Sequence, residues 1–170
     1  TLNWSSRNYG RLVARMIEAY GDEYIYVISF TPSDKKYLEG LKDHMSKTPG
    51  DFYDKNVYFF NGAEDGLRHY MSILKTASLF VGPSTGPLHI ANVLGVKTLG
   101  IYSPIKAQSV KRWEPFFKVE GKNKVVIPEV VCGEQKRCIG KECPYYECMA
   151  LIEVEDVFNE ASKFLASESQ

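Results

Sequence analysis

"LFVGPSTGPLHIANVLGV", residues 79–96, leaves an apolar run, turns on Gly82, Pro83, Ser84 and Thr85, and enters a helix with His89 in its first turn. A buried strand that breaks on small turn residues and passes straight into a helix is one repeat of a parallel α/β sheet. In such sheets ligands bind where strand carboxyl ends lead into helices. Ser84 or Thr85 is placed to cap the helix, Gly86 lets backbone approach a ligand, and Pro87 fits an early helical position with no N–H to satisfy. Free backbone N–H groups and the positive end of the helix dipole would then attract an anion. A tight strand-to-helix connection with no ligand is the competing reading, because the turn is neither GxGxxG nor a Walker loop.

The same alternation runs outward from this turn. "NYGRLVARMIEAYG" sets Leu12, Val13, Met16, Ile17 and Tyr20 on one helical face, with Gly21 as the stop. "EYIYVISF" and "KNVYFFNG" read as strands. Between them "SDKKYLEGLKDHM" reads as a helix capped by Ser33 or Asp34. Asp65 opens a helix with an apolar face of Leu67, Met71, Ile73 and Leu74. "SLFVG" is the third strand, residues 86–94 a short helix closed by Gly95, and "VKTLGIY" the fourth strand. Residues 103–123 read as a long loop, "KVVI" as a last strand, 128–150 as an irregular cysteine-containing segment, and 154–166 as a closing amphipathic helix. The fold class is therefore α/β, a Rossmann-like doubly wound parallel sheet.

At 170 residues the chain holds one well-cored domain. Lys plus Arg and Asp plus Glu both number 21, so no charge excess favours nucleic acid or an anionic membrane. No apolar run approaches the ~18 residues of a transmembrane helix, and "TLNWSSRNYG" is no signal peptide. Cys132, Cys138, Cys143 and Cys148 fall close enough in sequence for a tetrahedral zinc site, but their spacing is looser than paired CxxC. Structural zinc, disulfides and reduced thiols all stay open, and none of these makes the cysteines catalytic. His44 and His69 read as surface residues. Trp113, Phe116 and Phe117 either seal a loop onto the core or stack on a base. Ser84 has no acidic and His partners set out as a triad, which argues against a nucleophilic hydrolase.

"VGPSTGPLHIANVLGVKTLGIYSP" resembles the signature of glycosyltransferase family 9, the lipopolysaccharide heptosyltransferases. "NWSSRNYG", "SVKRWEPF" and "CPYYECMALIEVEDV" are similar to three further family segments, in the family's order. The resemblance implies the C-terminal, donor-binding half of a GT-B type enzyme, with residues 1–170 as one nucleotide-sugar-binding domain. The acceptor domain and the general base would lie in an N-terminal half that this sequence does not match. It implies that Thr85, Gly86 and His89 contact the diphosphate or donor sugar of an ADP-sugar, with Ser84 beside them. Arg7 takes the place of a family Lys that reaches the phosphates, Ser5 and Ser6 could bond them from the same loop, and Asp65 falls near the nucleobase. Arg7 and His89 would stabilise the leaving diphosphate as the catalytic pair.

No Asp-x-Asp pair lies near the site to hold Mg²⁺, so no cofactor is expected beyond the donor itself. Pro83-Ser84 stands where the family usually has Asn-Asp, which bears on which sugar is held. The family also has a central strand just before the "NWSSRN" loop, of which Thr1 and Leu2 would be the remainder. Self-association through exposed strand edges is then expected. Heptosyl transfer to a lipid-linked saccharide, at the inner face of the cytoplasmic membrane, is the leading function. A nucleotide-sugar epimerase and a non-catalytic nucleotide-binding or zinc-stabilised module are the alternatives.

Overall fold

The computed structural model describes residues 2–45, 55–64, 66–116, 121–132 and 137–166. Their order is α1 (Ser6–Tyr20), β1 (Tyr26–Phe30), α2 (Lys35–Met45), β2 (Val57–Asn61), α3 (Gly66–Lys75), β3 (Leu79–Pro83), α4 (Gly86–Val93), β4 (Lys97–Ile101), α5 (Val110–Trp113), β5 (Asn123–Val126) and α6 (Val154–Ala166). All strand pairings are parallel, as continuous apolar strands alternating with helices require. Among the described residues the strands form two sheets, β1–β2 and β3–β4–β5, of the parallel α/β kind read from the sequence. Among the described residues no strand pairs with members of both. Correspondingly, the chain divides into two compact units, one of Ser5–Tyr70 and one of Thr1–Trp4 with Met71–Gln170.

In the first unit, Leu12, Met16 and Ile17 form the buried face of α1, and Val13 and Tyr20 are half-buried beside them. Ile17, Leu41, Met45 and Val57 make the core, with Tyr9, Tyr26, Ile28 and Phe59 packed against it. Gly10 lets α1 and α2 close up, since a Cβ there would lie 2.8 Å from the Leu41 carbonyl oxygen and 3.0 Å from His44 Cβ. His44 is thus half-buried toward α1 and not on a free surface. The start of α2 also differs from expectation. Thr31, not Ser33 or Asp34, is the cap of a 3₁₀ turn at Pro32–Asp34 that leads into the helix. Pro32 supplies the fixed φ for the first turn, and Asp34 returns its carboxylate to the Thr31 N–H at 2.9 Å.

In the second unit β4 is the middle strand and is buried at Thr98, Leu99, Gly100 and Ile101. Helices α4 and α6 pack on β3 and β4. Leu88 and Ala91 on α4 and Val157, Phe158, Ala161 and Leu165 on α6 are buried. A polar tie runs through this unit. Asn123 Oδ1 accepts from Asn92 Nδ2 at 2.9 Å and from Thr98 Oγ1 at 2.7 Å. Lys97 Nζ donates to the Phe164 carbonyl at 2.7 Å, satisfying a free carbonyl in the last turn of α6. Trp4 belongs to this unit, and its Nε1 donates to the Ile152 carbonyl at 2.9 Å.

On α3 the buried residues are Tyr70 and Leu74, while Leu67 is exposed and Met71 and Ile73 are half-buried. His69 is exposed and meets the Phe60 ring edge-on, and Asp65 and Phe117 lie outside the described residues.

Candidate donor site

The quoted turn sits at the carboxyl end of β3, beside the end of β4, with Pro83 in register with Ile101. Thr85 is the N-cap of α4 in extended conformation, and its side chain makes no capping bond to the helix. Its N–H and its hydroxyl both point back to the Pro83 carbonyl, at 2.8 and 3.5 Å. The Leu88 and His89 N–H groups are taken by the Thr85 carbonyl. Among the described residues the Gly86 N–H has no such partner, and a Cβ at Gly86 would meet nothing within 4 Å. Neither a left-handed φ nor crowding therefore calls for glycine at this position. What the missing side chain leaves is open space in front of a helix start, the arrangement an anion needs.

Ser84, Thr85, Gly86 and His89 are thus brought together in one turn. Ser5, Ser6 and Arg7 are brought together in the other unit, at the start of α1. There Ser5 Oγ caps the helix by accepting from the Asn8 N–H at 3.1 Å. The Ser6 hydroxyl lies against Gly40 of α2, where an added Cβ would sit 2.8 Å from it. Both serines therefore serve the local fold, and Arg7 is the exposed cation of that loop.

Tyr102 closes the floor of the turn, a role not visible in its sequence surroundings. It is fully buried, and its hydroxyl donates to the Trp113 carbonyl at 2.6 Å. Burial pushes its phenol pKa up, and the Ser84 hydrogen bond pulls it partly back. Gly100 makes room for this ring, because a Cβ there would lie 2.5 Å from Tyr102 Cε2 and 3.2 Å from Leu88 Cδ2. The loop read after Tyr102 contains a 3₁₀ turn at Lys106–Gln108 and the short α5. Trp113, at the end of α5, places its ring 6.3 Å from the His89 ring.

The four cysteines lie far along the chain in the second unit. They line one small pocket with Tyr145 and Tyr146. No disulfide joins the four among the described residues, and burial together with the nearby Cys138 and Cys143 sulfurs pushes the Cys148 thiol pKa up. Among the described residues no group of three or more His, Cys, Asp or Glu side chains is arranged to hold a metal ion. Among those residues, too, no helix is long and apolar enough to cross a membrane.

The chain is 27% identical over 119 residues to a Haemophilus influenzae protein named provisionally as a glycosyltransferase, covering 69% of this chain and 31% of that protein. It is 30% identical over 87 residues to lipooligosaccharide heptosyltransferase 2 of Campylobacter jejuni, covering 50% of this chain and 25% of that protein. A crystal structure of a family 9 glycosyl transferase from Veillonella parvula superposes with a TM-score of 0.72 at 17% identity, over 98% of this chain and 42% of that one. The chain thus spans less than a third of each curated relative. The superposition shows a shared α/β fold of GT-B type. The profile of glycosyltransferase family 9 (heptosyltransferase) matches residues 3–140, from the "NWSSRN" loop through the Gly86 turn and Trp113, and the chain belongs to that family.

Proposed function

We propose that this chain is the donor-binding part of a glycosyltransferase that moves a sugar, heptose in the leading case, from an ADP-sugar to a lipopolysaccharide core or related saccharide. The observation that carries the reading is the open Gly86 turn with its unused N–H beside His89, within a chain of family 9. The lipid-linked acceptor and the general base belong to a second domain of the whole enzyme, working at the inner face of the cytoplasmic membrane.

Departure of ADP from an anomeric carbon gathers negative charge on the diphosphate. The Gly86 N–H and the α4 dipole would face that charge, and the His89 imidazole would donate to it. Each preorganised donor is worth on the order of 3 kcal/mol in the transition state. This donor set is chemically sufficient to stabilise the leaving group, so the reading requires no cofactor besides the donor.

Calorimetric titration with ADP, UDP, GDP and inorganic phosphate tests this. ADP binds preferentially on this reading, and His89→Ala weakens it by about tenfold, the loss of one charge-assisted hydrogen bond. Gly86→Ala is the sharper probe, because the added methyl meets no protein atom within 4 Å. It leaves the melting temperature unchanged and lowers ADP affinity. Equal affinity in wild type and Gly86→Ala would falsify the placement of the diphosphate at this turn.

A further inference from the structure

Trp113 is held more firmly than its exposure explains. It ends a helix of four residues, too short to be stable alone. Its N–H donates to the Ser109 carbonyl at 3.0 Å, and its Nε1 to the Ala107 carbonyl at 2.8 Å. Its carbonyl accepts from Tyr102, whose ring is rooted in the sheet over Gly100. The residue is thus fixed from β4 outward, yet it remains 44% exposed. One ring neighbour is His89 at 6.3 Å, with the planes tilted by 50°, and the Arg112 guanidinium lies 5.5 Å over the indole. A loop that merely needed sealing would gain by burying such a side chain completely. Here that gain is only partly taken, and the bare part is a rigid apolar plate beside the imidazole.

The polar group placed beside the plate is the His89 imidazole. An apolar plate with a polar ring close by matches a pyranose, which has a C–H face and a rim of hydroxyls.

We propose that Trp113 is the surface on which the transferred sugar of the donor rests, with Tyr102 as the residue that positions it. This rests on the donor-site reading above and adds a specificity-determining residue to it. The diphosphate lies at Gly86 and His89, and the sugar extends from it over the indole.

The test uses the whole 170-residue chain. ADP and ADP-heptose are titrated into wild type, Trp113→Ala, Trp113→Phe and Tyr102→Phe, each first shown folded by its circular-dichroism melt. Trp113→Ala should lose at least about tenfold in ADP-heptose affinity while ADP affinity stays within about twofold, the loss being that of one stacking contact. Trp113→Phe keeps a ring and should recover most of the loss. Tyr102→Phe should fall between wild type and Trp113→Ala. Indole fluorescence gives a readout that a purely structural role would not move. Trp113 is the half-exposed tryptophan and Trp4 is 2% exposed. The change on adding ADP-heptose should therefore vanish in Trp113→Phe and survive in Trp4→Phe.

Unchanged ADP-heptose affinity in Trp113→Ala overturns the assignment and leaves the donor-site reading standing. Equal losses for ADP and ADP-heptose also overturn it, moving Trp113 to the nucleoside side. A folded wild-type chain that binds neither ligand overturns the donor-site reading and this assignment with it.

Discussion

Tyr26 carries a buried hydroxyl with no hydrogen-bond partner among the described residues. Such a group keeps its desolvation penalty without recovering a bond. Tyr26→Phe removes the oxygen and keeps the ring, so urea denaturation should show a gain of about 1 kcal/mol. The same burial, followed by the nearby Tyr20, Tyr24 and Glu23 charges, pushes the Tyr26 pKa from its ordinary 10.0 up to about 12. Burial alone pushes Tyr9 up as well. In the unfolded chain these phenols lose their protons first. The folded state then holds more protons, and stability falls as pH rises above 10 and on through 12. Tyr26→Phe should lose less melting temperature than wild type across that window, while Tyr9 continues to contribute in both proteins. An identical alkaline slope in the two would show that Tyr26 ionises in the folded chain as it does in the unfolded one.

Elements were legible in the sequence where one local rule sufficed. The five strands among the described residues follow from short apolar runs bounded by turn residues, and α1 and α6 follow from helical periodicity. Reading failed where tertiary packing chose among local options. On α3 the apolar spacing admits Leu67, but packing takes Tyr70 and Leu74 instead. The Gly-Pro-Ser-Thr-Gly turn was legible as a candidate site because Gly and Pro punctuate it. Its floor was not, because the Tyr102–Trp113 bond joins residues 11 apart across a loop with no periodicity. The tie through Asn123 is of the same long-range kind, holding α4, β4 and β5 through one amide oxygen. Asn92 and Thr98 are both buried, so Asn123→Ala takes the shared acceptor from two desolvated donors. The expected cost is about 2 kcal/mol in chemical denaturation. Asn123→Asp preserves an acceptor for both donors and should cost less than the alanine variant. A larger loss for Asp than for Ala would mean that burial of charge outweighs the hydrogen bonds at this site.

At the scale of the whole chain, the two-sheet arrangement has a consequence for behaviour in solution. β1 and β2 pair only with each other among the described residues, so the outer edge of each meets no further strand there. Val27 and Tyr58 are opposite each other in register and are 44% and 54% exposed, and Ile25, just before β1, is 68% exposed. Apolar side chains next to open strand edges are a template for pairing with another chain. The 170-residue chain should therefore self-associate as its concentration rises, and sedimentation velocity from about 5 to about 100 μM should show a growing sedimentation coefficient. Lysine at an exposed strand position opposes edge pairing by charge, so Val27→Lys with Tyr58→Lys should shift the population toward monomer. Because both substitutions lie far in sequence from the Gly86 turn, nucleotide binding serves as the check that the change is confined to association. A monomer throughout that range would mean that these edges are already covered within the chain itself.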